Sequence, residues 1–383
     1  MRIGMIAGPW IPVPPPRYGG SEAVIDNLAR GLQLAGHEVE LFTIGSSTCP
    51  VSRSWLFDGP VEPIQDSTYE SLHVEAAYRA LSDVDVIHDH TVVGPLLASH
   101  LSRPEVPVVT TMHGPFDDKA RRLYSRLPGR AHLICISGPQ RASAPEIPVT
   151  AVIPHGIDTT RYLPGPGGGG YLVFVGRMNP DKGVHLAIEV ARKAGLPLTV
   201  MVKMREPSER QYFAEVVEPL LGDDITLMFE PDENVRIDLV GRAEALINPI
   251  GWPEPFGLVM AEALACGTPV IARPHGAARQ IVEPGLTGYL HDEVADLAEA
   301  VGRIDRIDRT ACRRAAEERF SMARMVDDHV RLYERLIRSA TADRPASTAI
   351  APIVIDRRRT ERRRINGWTA GPAAAELSRP VAR

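Results

Sequence analysis

The chain has 383 residues, of which 44% are apolar and 24% charged, a globular composition long enough for two domains with separate cores. Its net charge of −5 is uneven, because nine arginines against four acids from Thr341 onward leave the body at −10. An acidic body excludes nucleic acid as the main partner, and four dispersed cysteines (Cys49, Cys135, Cys266, Cys312) without a CxxC pair exclude a disulfide framework or zinc ribbon and fit a reducing compartment.

The first apolar run stops at Pro9, too soon for the apolar region of a secretory signal, and no later stretch approaches the roughly 18–20 apolar residues of a membrane span. A cytoplasmic protein is expected. Strands are predicted at Arg2–Ala7, Glu38–Ile44, Val84–His88, Val106–Thr111 and Leu133–Ile136. Their near-continuous apolar character suits a parallel sheet covered on both faces. Ser21–Gly36 reads as a helix, with a Ser/Glu opening, Val24, Leu28 and Leu32 on one face, and a glycine stop. Before it, the proline-stiffened loop GPWIPVPPPRY leads to Gly19 and Gly20, where the backbone can approach a ligand closely.

Three strand ends of this first domain are expected to converge: the Gly19-Gly20 loop, His88-Asp89-His90 and His113-Gly114. His88 and His90 read most plainly as a satisfied loop pair, and a metal site made with His113 is the less favoured alternative. Asp83-x-Asp85 precedes its strand, at the wrong end of a sheet for a metal-binding pair. Leu163–Gly170 (LPGPGGGG) cannot hold regular structure and is read as the linker.

The alternation then restarts, with strands predicted at Tyr171–Val175, Leu198–Val202, Ile225–Met228, Ala245–Ile247, Pro269–Ile271 and Gly288–Leu290. A strand–helix alternation that restarts after a linker implies an α/β protein of two Rossmann-like, doubly wound domains facing each other. Domains are expected over 1–160 and 161–320. A helix over 321–340, with Met325, Val326, Leu332, Tyr333 and Leu336 as apolar anchors, is read as crossing back to the first domain. The tail over 341–383 contains RRRTERRR and has no apolar face to bury, so it reads as solvated and disordered.

Two segments of the second domain carry the chemistry. GRMNPDKG (Gly176–Gly183) follows a predicted strand, placing Arg177 and Lys182 at the mouth of the sheet, where two cations would stabilise the charge on a departing diphosphate. A plain surface turn is the competing reading. GWPEPFGLVMAEALACGTPVIA (Gly251–Ala272) is more specific. A helix beginning near Phe256–Gly257 would offer the free amides of Phe256, Gly257 and Leu258 to phosphate oxygens. Glu262, about two turns in, can accept both hydroxyls of a ribose, and Glu254 in the loop is placed to hold the transferred sugar. Helix-dipole compensation for Glu254 and simple exposure for Glu262 are the blander readings.

The run E-P-F-G-L-V-x-x-E-A-L-A-C-G-T-P-V-I resembles the donor signature of family 4 glycosyltransferases, which adopt the GT-B fold. Gly19-Gly20-Ser21-Glu22, His113 in TTMHG, Ser137 in ICIS, the turn His155–Asp158, Gly176-Arg177 with Lys182-Gly183, and the turn Gly285–Gly288 follow the family's order, over about residues 2–338. The resemblance implies retaining transfer of a hexosyl group from a nucleotide-diphosphate sugar to a hydroxyl acceptor, with no cofactor and no metal. It assigns the diphosphate to Arg177 and Lys182, the sugar to Glu254, the ribose to Glu262 and an acceptor-side role to His113. Together with the strand-end and helix-start readings, the expected donor set is Gly20, Gly176, Arg177, Lys182, Glu254, Phe256, Gly257, Leu258 and Glu262, and the expected acceptor side Gly19, His88, His90, His113 and Ser137. Catalytic work falls to His113, Arg177, Lys182 and Glu254. The departing phosphate oxygen can itself take the acceptor's proton. Two departures stand out: His155 where the family often has Asn, and Arg279-Gln280-Ile281-Val282 where it often has Pro-Glu-Ile-Val.

Competing readings are a nucleotide-sugar 2-epimerase on the same fold, a pyridoxal-phosphate phosphorylase for which Lys203 is the only loose candidate, and a non-catalytic nucleotide-sugar-binding protein. The joint presence of Arg177, Lys182, Glu254 and Glu262 counts against the last. Base choice is expected near Phe229–Val235. A monomer or homodimer is expected. Lys119–Arg130 (KARRLYSRLPGR) would give at most a weak peripheral membrane contact, and a solvated helix is its plainer reading.

Overall fold

A computed structural model describes residues 1–342 apart from Tyr18, Pro128 and Arg130. The tail expected from 341 onward lies outside the described residues from 343. Seven strands, β1 (Arg2–Ile6), β2 (Glu38–Thr43), β3 (Ser52–Trp55), β4 (Val86–Asp89), β5 (Val108–Met112), β6 (Ala131–Cys135) and β7 (Ala151–Val152), form one sheet in the order β3-β2-β1-β4-β5-β6-β7. A second sheet of β8 (Leu172–Arg177), β9 (Leu198–Lys203), β10 (Ile225–Phe229), β11 (Leu246–Asn248), β12 (Val270–Ala272) and β13 (Gly288–Leu290) has the order β10-β9-β8-β11-β12-β13. Every pairing within both sheets is parallel. In each sheet the winding reverses beside the first strand, which opens the switch-point crevice that ligands of such sheets occupy.

Strand ends agree with the sequence reading to within about two residues, but β3 and β7 are additions. β3 (SRSW) is a polar, half-exposed edge strand, and β7 has two residues, so neither carries the apolar run that marks a central strand. The helix Gly20–Leu34 buries Val24, Ile25, Leu28, Ala29 and Leu32 at helical spacing against β1 and its neighbours.

The glycine-rich segment 163–170 is laid along the second domain rather than spanning free space. Gly165 donates its amide to the Cys266 carbonyl (2.9 Å), Gly167 to Gly241 (3.1 Å) and Gly169 to Arg242 (2.9 Å). The chain passes between the domains just before it, and there it pairs with the return crossing. The Ile157 amide donates to the Phe320 carbonyl and the Met322 amide donates to the Ile157 carbonyl, each at 2.8 Å. From that point the helix Met322–Ala342 runs over the first domain, burying Met325, Val326, Leu332, Tyr333 and Leu336 among Ile3, Val24, Leu28 and Leu41. Burial of five such side chains contributes on the order of 10 kcal/mol, which fixes this helix to the first sheet.

Candidate functional site

The end of β8 carries Arg177, paired in register with Lys203 of β9. Asn179 then caps a single tight turn, its side-chain oxygen accepting the Lys182 amide at 3.1 Å. That turn aims the Lys182 ammonium at the Glu254 carboxylate, with which it forms an ion pair. The side chains are only 13% and 16% exposed, and the Trp252 ring lies 5.8 Å from the ammonium. Both members of this pair come from turns at sheet ends, so each sequence segment brings one charge to the same spot. Arg177 makes no salt bridge among the described residues, so its charge is not committed to an ion pair within the chain.

The Glu254 loop is held by the segment that follows β12. The Ala277 amide donates to the Glu254 carbonyl (2.9 Å), and Gly276, at φ +55°, packs its α-carbon flat against the same peptide. The helix of the donor segment starts at Leu258, one residue later than the sequence suggests, because Gly257 adopts φ +92° and ends the extended loop. The amides of Phe256, Gly257 and Leu258 donate to no backbone carbonyl among the described residues, so the helix start presents free N–H groups. The Phe256 ring itself is buried, edge-on to Phe320 at 5.8 Å, and acts as core. Leu258 also packs on the first domain's core, and a β-carbon placed on Gly20 would lie 3.5 Å from its side chain. The Gly20 helix start and the Leu258 helix start therefore meet across the domain interface.

Glu262 is not a free exposed carboxylate. Tyr162 donates its hydroxyl to one carboxylate oxygen at 2.9 Å, and Arg236 forms an ion pair with the other. Arg236 also donates to the Tyr162 hydroxyl at 3.0 Å. The sequence offers no periodic or motif signal for Tyr162 or Arg236; only chain folding brings them to Glu262.

On the first-domain side five imidazoles meet: His88 and His90 at the end of β4, His113 after β5, His155 in the crossing segment and His329 on the last helix. Ring centroids of successive members lie 4.0 to 5.3 Å apart. Two acceptor-side expectations are corrected. His88 is fully buried with both ring nitrogens engaged, Nδ1 with the Tyr333 hydroxyl (2.6 Å) and Nε2 with Thr111 (2.8 Å), so it supports the last helix instead of meeting an acceptor. Ser137 is likewise buried, its hydroxyl accepting the Gln140 amide at 3.1 Å as the cap of the helix Gly138–Ser143.

His90 and His113 remain half-buried and share a hydrogen bond, Nδ1 to Nε2, of 2.9 Å. Their remaining nitrogens, His90 Nε2 and His113 Nδ1, are buried and have no partner among the described residues. Burial lowers the pKa of all five rings, to about 4 for His113 and His329, and neighbouring imidazoles push the same way on His88, His90, His113 and His155. The cluster is therefore neutral at pH 7 and can offer hydrogen bonds without charge. Among the described residues no group of three or more His, Cys, Asp or Glu is arranged to hold a metal ion.

Other expectations resolve structurally. Asp158 accepts from Arg30 (3.2 Å) and from Thr160, tying the crossing segment to the first helix. Asp83 pairs with Arg2, and Asp85 accepts the Arg2 amide at 2.8 Å, on the far end of the first sheet. Lys203 is ion-paired with Glu206 and Glu209. His155, where the family often has Asn, stacks 5.2 Å from His113 and meets the Phe256 ring at 5.2 Å, so it joins the two halves of the site. Gln280, where the family often has Glu, accepts the Gly138 amide at 3.0 Å from the opposite domain. Phe229 and Val235 are exposed near the Arg236 helix. Of the basic stretch from Lys119, Pro128 and Arg130 lie outside the described residues, and Arg121 is paired with Glu146. No helix among the described residues is long and apolar enough to cross a membrane.

Two family models match, one in each domain: Glycosyltransferase Family 4 over residues 18–161 and Glycosyl transferases group 1 over residues 163–319. The chain is 26% identical over 321 residues to the phosphatidyl-myo-inositol mannosyltransferase of Mycolicibacterium smegmatis, covering 76% of this chain and 80% of that protein. It is 27% identical over 343 residues to a D-inositol 3-phosphate glycosyltransferase of an Arthrobacter species, covering 74% and 81%. Among solved structures it resembles AviGT4, a glycosyltransferase involved in avilamycin A biosynthesis, with a TM-score of 0.67, 26% identity and coverage of 88% of this chain and 98% of that one.

Proposed function

The chain belongs to glycosyltransferase family 4, is a glycosyltransferase with the GT-B fold, and from that premise we propose that it moves a hexosyl group from a nucleoside-diphosphate sugar to a hydroxyl acceptor with retention of anomeric configuration. Fold alone does not name a donor, so the reading rests on one observation: the buried Lys182–Glu254 ion pair beside the free amides that open the Leu258 helix. A diphosphate docking on those amides offers Lys182 a stronger anionic partner than a single carboxylate. Lys182 turns to the phosphate, and Glu254 is released to accept hydroxyls of the sugar. Donor binding thus rearranges the ion pair into two separate contacts, one on each side of the bond that breaks. Arg177 adds a second cation where charge develops on the leaving group, which favours the transition state over the bound substrate.

His113 and His90, neutral at pH 7, supply hydrogen bonds from the first-domain side to the sugar or the acceptor hydroxyl. The departing phosphate oxygen takes the acceptor's proton in this scheme, so no separate base is called for. The residues that carry it need no metal. The paired crossings at Ile157 and Ser321 are the natural hinge for closing the domains over the donor and excluding water.

The test is a thermal-shift screen with UDP-, GDP- and ADP-sugars, followed by an acceptor-dependent assay for released nucleoside diphosphate and NMR of the product anomer. The reading predicts a shift with one donor class, release that requires acceptor, and a product anomer matching the donor. Sugar interconversion without acceptor would favour an epimerase, and binding without turnover a non-catalytic protein.

A further inference from the structure

Tyr162, Arg236 and Glu262 close into a ring. Arg236 donates to Glu262 with one terminal nitrogen and to the Tyr162 hydroxyl with the other, and Tyr162 donates to the second Glu262 oxygen. Each member comes from a different part of the chain: Tyr162 ends the crossing segment, Arg236 lies on the helix Glu233–Arg242 and Glu262 on the helix Leu258–Ala265. The ring is anchored further. The guanidinium of Arg236 lies 5.6 Å from the centre of the Tyr162 ring, and Arg161 and Arg236 both pair with Glu233. Arg313 donates to the carbonyls of Thr159 (3.0 Å) and Tyr162, holding the crossing segment in place.

A glutamate on a helix surface ordinarily samples several rotamers and orders itself only when a ligand arrives, at an entropic cost. Here both carboxylate oxygens are already fixed. An ionised carboxylate can accept about four hydrogen bonds, of which the ring uses two, one on each oxygen. Lone pairs on both oxygens are thus left over, as many as two adjacent hydroxyls need. A buried acceptor held in a fixed position rejects a ligand that lacks one of its donors, because nothing relaxes to fill the gap.

We infer that Tyr162 and Arg236 are positioning residues that set Glu262 to read an intact vicinal diol, so that the site selects ribonucleotides over 2′-deoxyribonucleotides. This rests on the nucleotide-sugar reading of the site and deepens it, since the discrimination comes from the ring and not from the carboxylate alone.

The experiment measures binding of UDP, GDP and ADP to the full chain by calorimetry, then of the 2′-deoxy form of whichever binds, for wild type, Tyr162→Phe, Arg236→Gln and Arg236→Lys. Wild type is expected to prefer the ribonucleotide by roughly tenfold to a hundredfold. Tyr162→Phe and Arg236→Gln should bring that preference to within about threefold, by weakening the ribonucleotide alone, and should raise the donor KM while leaving kcat within about threefold. Arg236→Lys keeps one charged donor on Glu262 and should recover part of the preference. An unchanged ribo/deoxy ratio in both variants, or equal weakening of both nucleotides, overturns the inference, the latter because a purely structural ring would act on both alike. If one variant fails to fold, the other decides. Failure of all three nucleotides to bind wild type overturns the nucleotide-sugar reading itself, a different result from binding with an unaltered ratio.

Discussion

Gly276 lies outside the donor signature, yet the structure makes it the support of the Glu254 loop. A β-carbon added there would lie 2.5 Å from the Glu254 amide nitrogen, 2.7 Å from the Pro253 carbonyl carbon and closer still to the Glu254 carbonyl oxygen, whereas ordinary contact begins at 3.4 Å. In Gly276→Ala the two peptides must therefore separate by about 1 Å. The φ of +55° costs an alanine about 1 kcal/mol, and stretching the Ala277-to-Glu254 hydrogen bond costs about as much again. A loss of about 2 kcal/mol leaves a domain of ordinary stability folded but moves the carboxylate that faces Lys182. A misplacement of that size at a reacting centre costs on the order of 100-fold in rate. The assay is kcat/KM for release of nucleoside diphosphate, with the melting temperature measured in parallel. Gly195→Ala serves as control, because Gly195 shares a positive φ (+71°) but has nothing within 4 Å, so it should lose stability and keep its rate. Gly276→Ala turning over within threefold of wild type would refute the reasoning.

Three further expectations follow from the same geometry. Lys182→Ala should lower kcat/KM tenfold or more, since it removes a cation that the proposed donor site turns to the diphosphate, and steady-state kinetics with saturating acceptor would show it. Tyr333→Phe should lower stability by about 1–3 kcal/mol in urea, because the buried His88 Nδ1 loses its partner; an unchanged midpoint would mean that this hydrogen bond contributes nothing. Acid should destabilise the fold. His113 and His329 have pKa values of about 4 in the folded state against 6.5 in the unfolded chain, so unfolding takes up protons between those values. Stability is then fully present above pH 6.5, falls as pH drops towards 4 and is flat below for these groups, by up to about 3 kcal/mol for each ring. Asp89, raised to about 6 by burial, works in the opposite sense, as do Glu22 and Glu70, but these three carboxyls stand against nine imidazoles whose pKa burial lowers. Urea midpoints at pH 7.5, 6 and 5 would check the sign, and a rising midpoint on acidification would contradict it.

The α/β alternation was legible because buried parallel strands are apolar on both faces. Polar edge strand β3 has no such run, and the two residues of β7 are too few to show one. Lys182 and Glu254 were legible as neighbours because ligands of doubly wound sheets sit at strand ends, so two charged turns in such positions face one another. Being at a strand end does not say which way a side chain turns. His88 and Ser137 share their strand ends with His90 and Gly138, yet both turn inward to satisfy buried partners. Tyr162 and Arg236 were invisible for a different reason: they are 100 and 26 residues from Glu262, and no local pattern records such a meeting. Gly276 is not legible in the sequence because its neighbours look like any loop, and only its backbone angle and the peptide lying against it reveal the requirement.

The helix Met322–Ala342 completes the core of a domain whose strands were all made before residue 153. The second domain is thus an insertion within the first, entered at Ile157 and left at Ser321. During synthesis the first sheet must wait, with the groove between Leu28, Leu41 and Ile3 open to water, while the whole inserted domain is translated. The inserted domain has no such debt and can fold as soon as it emerges. A nascent chain halted between residues 160 and 320 would therefore expose the unfinished apolar face to chaperones and aggregation, and supplying residues 322–342 as a separate peptide should close it.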